Sequence, residues 1–379
     1  MKVKFPFRFT LALLAALVLL TPATLRAQDA RGALTNFPES QAVMYVNARR
    51  LMNEAVPSVV PPEVFNKALA DAKQFIDLQG LEYMIAGVRL KGEVSAKNLP
   101  EFLLIVRGNF SADALLSGAR MMGQDMYAQE SHGGKTLNVF TLNKPAPPAA
   151  ADSSGAGNKG GSKFPVDQIA ATALDANTLA IGIPSYLRDA IDASAGGGTG
   201  ARLKPELIDL ALRDENTLIS IVTDVPPASS KHLRALGAPP NAEADRIIDA
   251  LRQVQLSVNM LPGTFGVQSI MRLDSAEAAA TLSGLVTMGA NVAKGEIAKD
   301  VQKKIGSDRE DTAALLRVLE TLTNAARDNE VAIGLTFQQA SLAEVIKRQL
   351  APKPPKPAAL APPAKKAPPR RTGRAPRKR

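Results

Sequence analysis

The chain has 379 residues, with 46 Lys plus Arg against 36 Asp plus Glu, two His, no Trp and no Cys. Without Cys, disulfides, zinc–thiolate sites, thiol nucleophiles and a lipidated N-terminal Cys are excluded, and two His leave little material for a metal or acid–base site. The formal charge of +10 invites a polyanion partner, but residues 1–27 hold four basic groups and no acid, residues 351–379 hold ten and no acid, and residues 28–350 carry a net −4.

The N-terminus has the three parts of a secretory signal: a basic start (Lys2, Lys4), the apolar run Leu11–Leu20, and a breaker, Pro22, before the small residue Ala27. Ten apolar residues make about 15 Å of helix, half of the ~30 Å that a bilayer core requires. Residues 1–27 therefore read as a signal peptide cut between Ala27 and Gln28. No later segment has 18 consecutive apolar residues, so no membrane span is expected after signal removal. The chain is expected to be exported from a bacterial cytoplasm and to be periplasmic, envelope-associated or secreted.

The body reads as an internal duplication of one αβ unit, an α+β architecture in which each unit is a mainly antiparallel or mixed sheet packed by helices. The first unit occupies about 37–194 and the second about 213–350. Three matches recur in the same order. Pro61-Pro62 opens a helix containing Ala68–Gln74, as Pro239-Pro240 opens one containing Ile247–Gln253. Ser111-Ala112-Asp113-Ala114 follows a strand, as Ser275-Ala276-Glu277-Ala278 does. Asn177-Thr178-Leu179-Ala180-Ile181-Gly182 matches Asn329-Glu330-Val331-Ala332-Ile333-Gly334. Phe102–Val106 and Leu218–Val222 are continuous apolar runs, which predict central strands covered on both faces. Residues 144–163, without a large apolar side chain, predict a disordered insertion, and 195–203 a Gly-rich linker.

In the second unit, Ile247, Ile248, Leu251 and Val254 have helical spacing, while Val254, Leu256, Val258 and Met260 alternate with Gln255, Ser257 and Asn259 as in a half-buried strand. The apolar set of each element is expected to be core. A long helical stretch is predicted over roughly 275–327, where the first unit has the strand Lys135–Leu142. Val331, Ile333, Leu335 and Phe337 predict a last strand. Asp274-x-x-Glu277, Ser307-x-x-Glu310 and Ser341-x-x-Glu344 read as capping boxes. Residues 351–379 contain nine Pro and one larger apolar side chain, Leu360, and predict a disordered tail. Lys365, Lys366, Arg370, Arg371, Arg374, Arg377, Lys378 and Arg379 make it a candidate for attachment to a polyanion: an anionic envelope polymer or lipid after export, nucleic acid otherwise.

Pro38-Glu39-Ser40-Gln41-Ala42-Val43-Met44-Tyr45-Val46-Asn47, together with Asn177–Ile183, resembles uncharacterised exported bacterial proteins in which such a mature N-terminus opens a duplicated αβ domain of unknown function. The resemblance implies a fold class and export, and carries no site residue.

The chemical motifs lack context. Gly155-x-Gly157-x-x-Gly160 has no strand before it and no helix after it, and Gly161 stands where a phosphate loop needs its Lys. His132 and His232 fall in different units, outside any nucleophile-elbow or zinc-protease arrangement. Asp308-Arg309-Glu310-Asp311 reads as a helix N-terminus. No catalytic, cofactor-binding or metal residue is assigned, and no cofactor is implied. The reading is a non-enzymatic envelope binding or scaffold protein, with an unknown protein or envelope partner for the body. A hydrolase with a site assembled between the units and a nonspecific nucleic-acid binder acting through the tail are the alternatives.

Overall fold

The computed structural model describes residues 30–73, 76–92, 99–123, 126–142, 166–196, 201–235, 241–303 and 306–350. The expected signal peptide (1–27), the whole of the expected insertion (144–163), residues 197–200 and residues 351–379 lie outside them. The fold is α+β and its sheet is antiparallel throughout, twelve strands in one layer. The chain opens with helix α1 (30–35) and strand β1 (Ala42–Val46). Then Ala48–Arg50, a π-helical turn Leu51–Ala55 and Val56–Val59 run on as one helix, α2, followed by α3 (Pro62–Lys73), β2 (Leu81–Arg89) and β3 (Glu101–Gly108). Next come α4 (Ala112–Met122), β4 (Tyr127–His132), β5 (Lys135–Thr141), β6 (Gln168–Asp175), β7 (Thr178–Gly182), α5 (Pro184–Ser194) and α6 (Pro205–Ala211). The rest is β8 (Thr217–Asp224), α7 (Ser229–Ala235), α8 (Ala242–Ala250), β9 (Leu251–Leu261), β10 (Thr264–Leu273), α9 (Ala276–Lys303), α10 (Ser307–Glu320), β11 (Thr323–Arg327), β12 (Glu330–Gln338) and α11 (Gln339–Leu350).

The sheet runs β11-β12-β10-β9-β8-β1-β2-β3-β7-β6-β5-β4. Hairpin chemistry sets several of its connections. Gly133 and Gly134, at φ +55° and +75°, supply the left-handed pair that a two-residue β4–β5 turn requires. The first strand of each half meets the other at the centre, β1 on β8, with Met44 opposite Ile221.

One face of the sheet carries the main core. Helices α1, α5 and α6 lay Leu34, Tyr186, Leu187, Ile191, Leu207 and Leu210 on Val43, Tyr45, Ile85, Leu103, Ile105 and Val222. Gly87 is the position where the chain following α1 crosses closest: a Cβ there would stand 2.4 Å from Cε1 of the buried Phe37 ring. Arg202 bridges Pro38 and Leu203 is buried, so the linker's last residues belong to this core.

Several sequence expectations are corrected. Phe102–Val106 and Leu218–Val222 are central but not covered on both faces: Leu103 and Ile105 are buried while their neighbours are partly open, and Ile221 is exposed. The helical spacing through Leu251 and Val254 breaks because α8 ends at Ala250 and both residues pair with β10. The long helical stretch is described as two helices, Ala276–Lys303 and Ser307–Glu320, and its last part pairs with β12 as β11. At the first capping box Ser275, not Asp274, accepts from the Ala278 N–H. Gly306 precedes the second helix without a side-chain cap, and Ser341 lies inside α11. In each case a hydrogen bond to a distant strand or a shifted helix start outcompeted a local motif.

β9 reverses its expected orientation. Gln255, Ser257 and Asn259 are buried, whereas Leu256 is 44% exposed. Two of the inward residues have partners, whereas Ser257 Oγ and Gln255 Oε1 are buried without one. Gln255 Nε2 donates to Leu210 O (2.6 Å), a last-turn carbonyl of α6, and Asn259 Nδ2 donates to Asp214 Oδ2 (2.9 Å) in the chain that follows. We expect Gly87→Ala to lower unfolding stability by about 1–3 kcal/mol, because the Phe37 ring must move. Urea denaturation measures it, and an unchanged midpoint contradicts this packing.

Candidate functional site: an uncovered apolar sheet face

The second sheet face is defined by one register row crossing every strand. It reads Asn324, Ile333, Ser269, Leu256, Ile221, Met44, Ala86, Leu104, Ile181, Ala171, Asn138 and Gln129. Helices cover its two ends. α9, with α8, packs Ala279, Leu282 and Ile247 against Val331 and Ile333, while α4 packs Ala112 and Leu116 against Ala171, Leu179 and Ile181. On the neighbouring row, α2 lays Leu51, Ala55 and Val59 near Ile219, Val258 and Met260, with Leu342 of α11 alongside.

Between these helices the floor stays open. Ile221 is 40%, Leu256 44% and Val88 38% exposed, and Met44, Ala86, Leu104 and Val254 are half-buried. All seven side chains are apolar and stand on the middle strands of the sheet. The strands beneath have neighbours on both sides, so the floor offers no free strand edge. A contiguous apolar face without charge or unsatisfied backbone is suited to one kind of chemistry, desolvation against another apolar surface. Sequence reading placed Leu104, Ile221, Val254 and Leu256 in the core. No periodicity separates a buried strand face from a docking face, since both need the same side chains.

The opposite face, under α5, holds an ionic clamp. Arg89 donates from Nη2 and Nε to Glu101 Oε2 (2.7 and 2.9 Å) and from Nη1 to Asp189 Oδ2 (2.6 Å), and its Cζ lies 4.2 Å from the Tyr186 ring centroid. Ser185 Oγ and Lys91 Nζ reach Glu101 Oε1 at 2.6 and 2.9 Å. Tyr186, pushed up to about 12 by burial, hydrogen-bonds Ser40 and donates to Glu39 O. Every group is engaged with another group of the chain. The arrangement fastens the segment after α1 to α5.

Of the residues singled out from sequence, His132 ends β4 and its Nε2 lies 2.9 Å from Asp192 Oδ1 of α5. No serine hydroxyl is among its hydrogen-bond partners here. His232 lies in α7, and its side chain falls outside the described residues. Ala27, Gln28 and the basic series Lys365 to Arg379 also lie outside them. A groove of about 490 Å3 between α8 and α9 is lined by Glu243, Arg246, Asp249, Asp274 and Glu277. Three of its four acids are engaged: Glu277 with Arg246, Asp274 with Arg252, and Asp249 with Ser230. Among the described residues no group of three or more His, Asp or Glu could hold a metal ion, and no helix is long and apolar enough to cross a membrane.

No protein-family model matches the chain, and no curated protein matches it. Among solved structures, crystal form III of TP0453 is similar at 12% identity and a TM-score of 0.41, covering 84% of this chain and 97% of that one. Crystal form IV gives 10% identity and a TM-score of 0.41 over 83% and 95%.

The clamp sets a pH test. Burial alone would raise the Glu101 carboxyl, but hydrogen bonds from Ser185, Lys91 and Arg89 outweigh it and hold the group below its ordinary 4.5. A lowered folded value stabilises the fold above the ordinary carboxylate range, and that contribution is lost as pH falls through the folded value. Glu101→Gln is therefore expected to destabilise the protein at neutral pH by on the order of 1–3 kcal/mol. The thermal midpoints of variant and wild type should converge in acid, and a pH-independent gap would contradict the clamp.

Proposed function

We propose that the chain is an exported, non-enzymatic binding or scaffold protein of the bacterial envelope, built from a duplicated αβ unit and docking its partner on the open apolar face. The observation that carries the docking reading is that face: apolar, uncharged and partly solvated at the centre of the sheet, between parts that helices cover. Such a surface costs free energy in water and is retained where something covers it.

The duplication reading is supported by register. Gly182 and Gly334 lie opposite Leu103 and Gln268, these opposite Gly87 and Ser257, and these opposite Val43 and Ser220. Val43 then pairs with Val222 and Ser220 with Tyr45, so exchanging the halves returns the central pair to itself about Met44 and Ile221. The repeated Asn makes a similar bond in both copies, to a carbonyl at or just past the end of the preceding strand: Asn177 Nδ2 donates to Phe110 O (3.0 Å), one residue before Ser111, and Asn329 Nδ2 to Leu273 O (2.8 Å), two residues before Ser275. The following Ser111 and Ser275 cap their helices alike, each at 3.2 Å.

Export rests on residues 1–27, and weak attachment to an anionic lipid or polymer on the tail's ten basic groups. Two experiments follow. Replacing Ile221 and Leu256 together by Glu adds charge at positions already solvated, so folding should persist by circular dichroism. In-cell cross-linking of the body to its partner should fall at least tenfold, and unchanged cross-linking removes the docking reading. Deleting 351–379 should release envelope-associated protein, and salt should release the full chain likewise. Retention of the truncated protein at low salt removes the tether.

A further inference from the structure

Resting on that docking reading, the shape of the open face selects its occupant. Seven strand spacings separate Ile181 on β7, beneath α4, from Ile333 on β12, beneath α9. At ~4.8 Å per strand that is roughly 34 Å. Helices packed side by side stand ~10 Å apart, so the layer between α4 and α9 has places for about two. One is partly taken by α2, over Ile219, Val258 and Met260. The exchange of halves that maps Met44 onto Ile221 maps Val258 onto Val88 and Ile219 onto Ala42. At Val88 the described residues place no comparable cover, and it is 38% exposed.

Three other occupants fit poorly. The open floor is five strands by about three residues, roughly 250 Å2, against the ~800 Å2 per partner that a stable dimer buries. α4 and α9 also stand above the floor on both sides and obstruct a second sheet. Strand addition needs a free edge, and these strands are paired on both sides. A polyanion needs charge, which the floor lacks.

We propose that the vacant place receives an amphipathic α-helix of a partner protein, seated across β3, β2, β1, β8 and β9 on Leu104, Val88, Met44, Ile221 and Leu256. The chain supplies a template for the contact. α2 presents Leu51, Ala55 and Val59, spaced i, i+4 and i+8 along one helix face, to the adjoining part of the same sheet. The partner's helix carries large apolar residues at that spacing and polar residues elsewhere.

The test uses the full mature chain and a fluorescein-labelled, charge-neutral 18-residue peptide with Leu at helical spacing among Gln, Glu and Lys. A second peptide of identical composition is scrambled to strand periodicity. Anisotropy should report at least tenfold tighter binding of the helical probe. Ile221→Glu and, separately, Leu256→Glu should weaken it at least tenfold, and Ile221→Leu should keep it, with thermal melts confirming that each variant folds. Equal binding of both peptides overturns the helix. So does an ultracentrifugation dimer that Ile221→Glu abolishes, which would make the occupant a second copy. If an apolar dye binds the wild type and is lost in Ile221→Glu while the helical probe fails, the helix falls and the docking reading stands. If Ile221→Glu alters binding of neither dye nor peptide, both fall.

Discussion

The antiparallel pairing of β1 with β8 is the constraint on which the rest of the molecule depends. Five residues of β1, centred on Met44, are bonded on one side to β2 and on the other to β8. That strand joins what would otherwise be two smaller sheets with two exposed edges. A sheet edge is a liability in water, and pairing the edges internally removes it at the centre. Joining also fixes which way every side chain points, because strand register has a period of two and is transmitted from strand to strand.

The cost of that fixed register shows at β9. The face shared with Val43, Tyr45 and Ile85 is buried under α1, α5 and α6, so the β9 residues in those rows must be buried too. They are Gln255, Ser257 and Asn259. Gln255 offsets part of its burial by donating to a terminal carbonyl of α6 and Asn259 by donating to Asp214, while Ser257 Oγ is buried without a partner. The apolar partners of these residues are pushed to the opposite face. There Leu256 joins Ile221 and Met44 in an open row. The polar core beneath α6 and the apolar surface between α4 and α9 are thus two consequences of one register.

Asymmetry between the halves supplies the opening. The first half extends its sheet with the β5–β4 hairpin, whereas the second stops at β11 and spends the corresponding length on the α9–α10 pair. α2 covers the second half's side of the central floor, and its own side stays exposed at Val88. On the proposed duplication, a repeated strand frame with an unequal helix layer leaves one place open. His132, the ionic clamp around Arg89 and three of the four acids of the groove beside α8 are engaged with other groups of the chain.

Strand and helix identities were legible in the chain wherever a period ran undisturbed, as at Val331–Phe337 and around Leu315–Leu319. The antiparallel, α+β character was also legible, and so was the charge partition that leaves 28–350 slightly acidic. Element ends were not. Leu251 and Val254 fit a helix and a strand equally well until β10 claimed them. Nor was the direction of the β9 faces, since alternation says that two sides differ but not which side meets the core. By itself the sequence determined which residues alternate, where the chain turns and which ends stand apart in composition. Only the tertiary structure decided that Leu256, Ile221 and Val88 look outward, because burial is a property of the neighbours that distant pairing brings, and local periodicity contains no record of them.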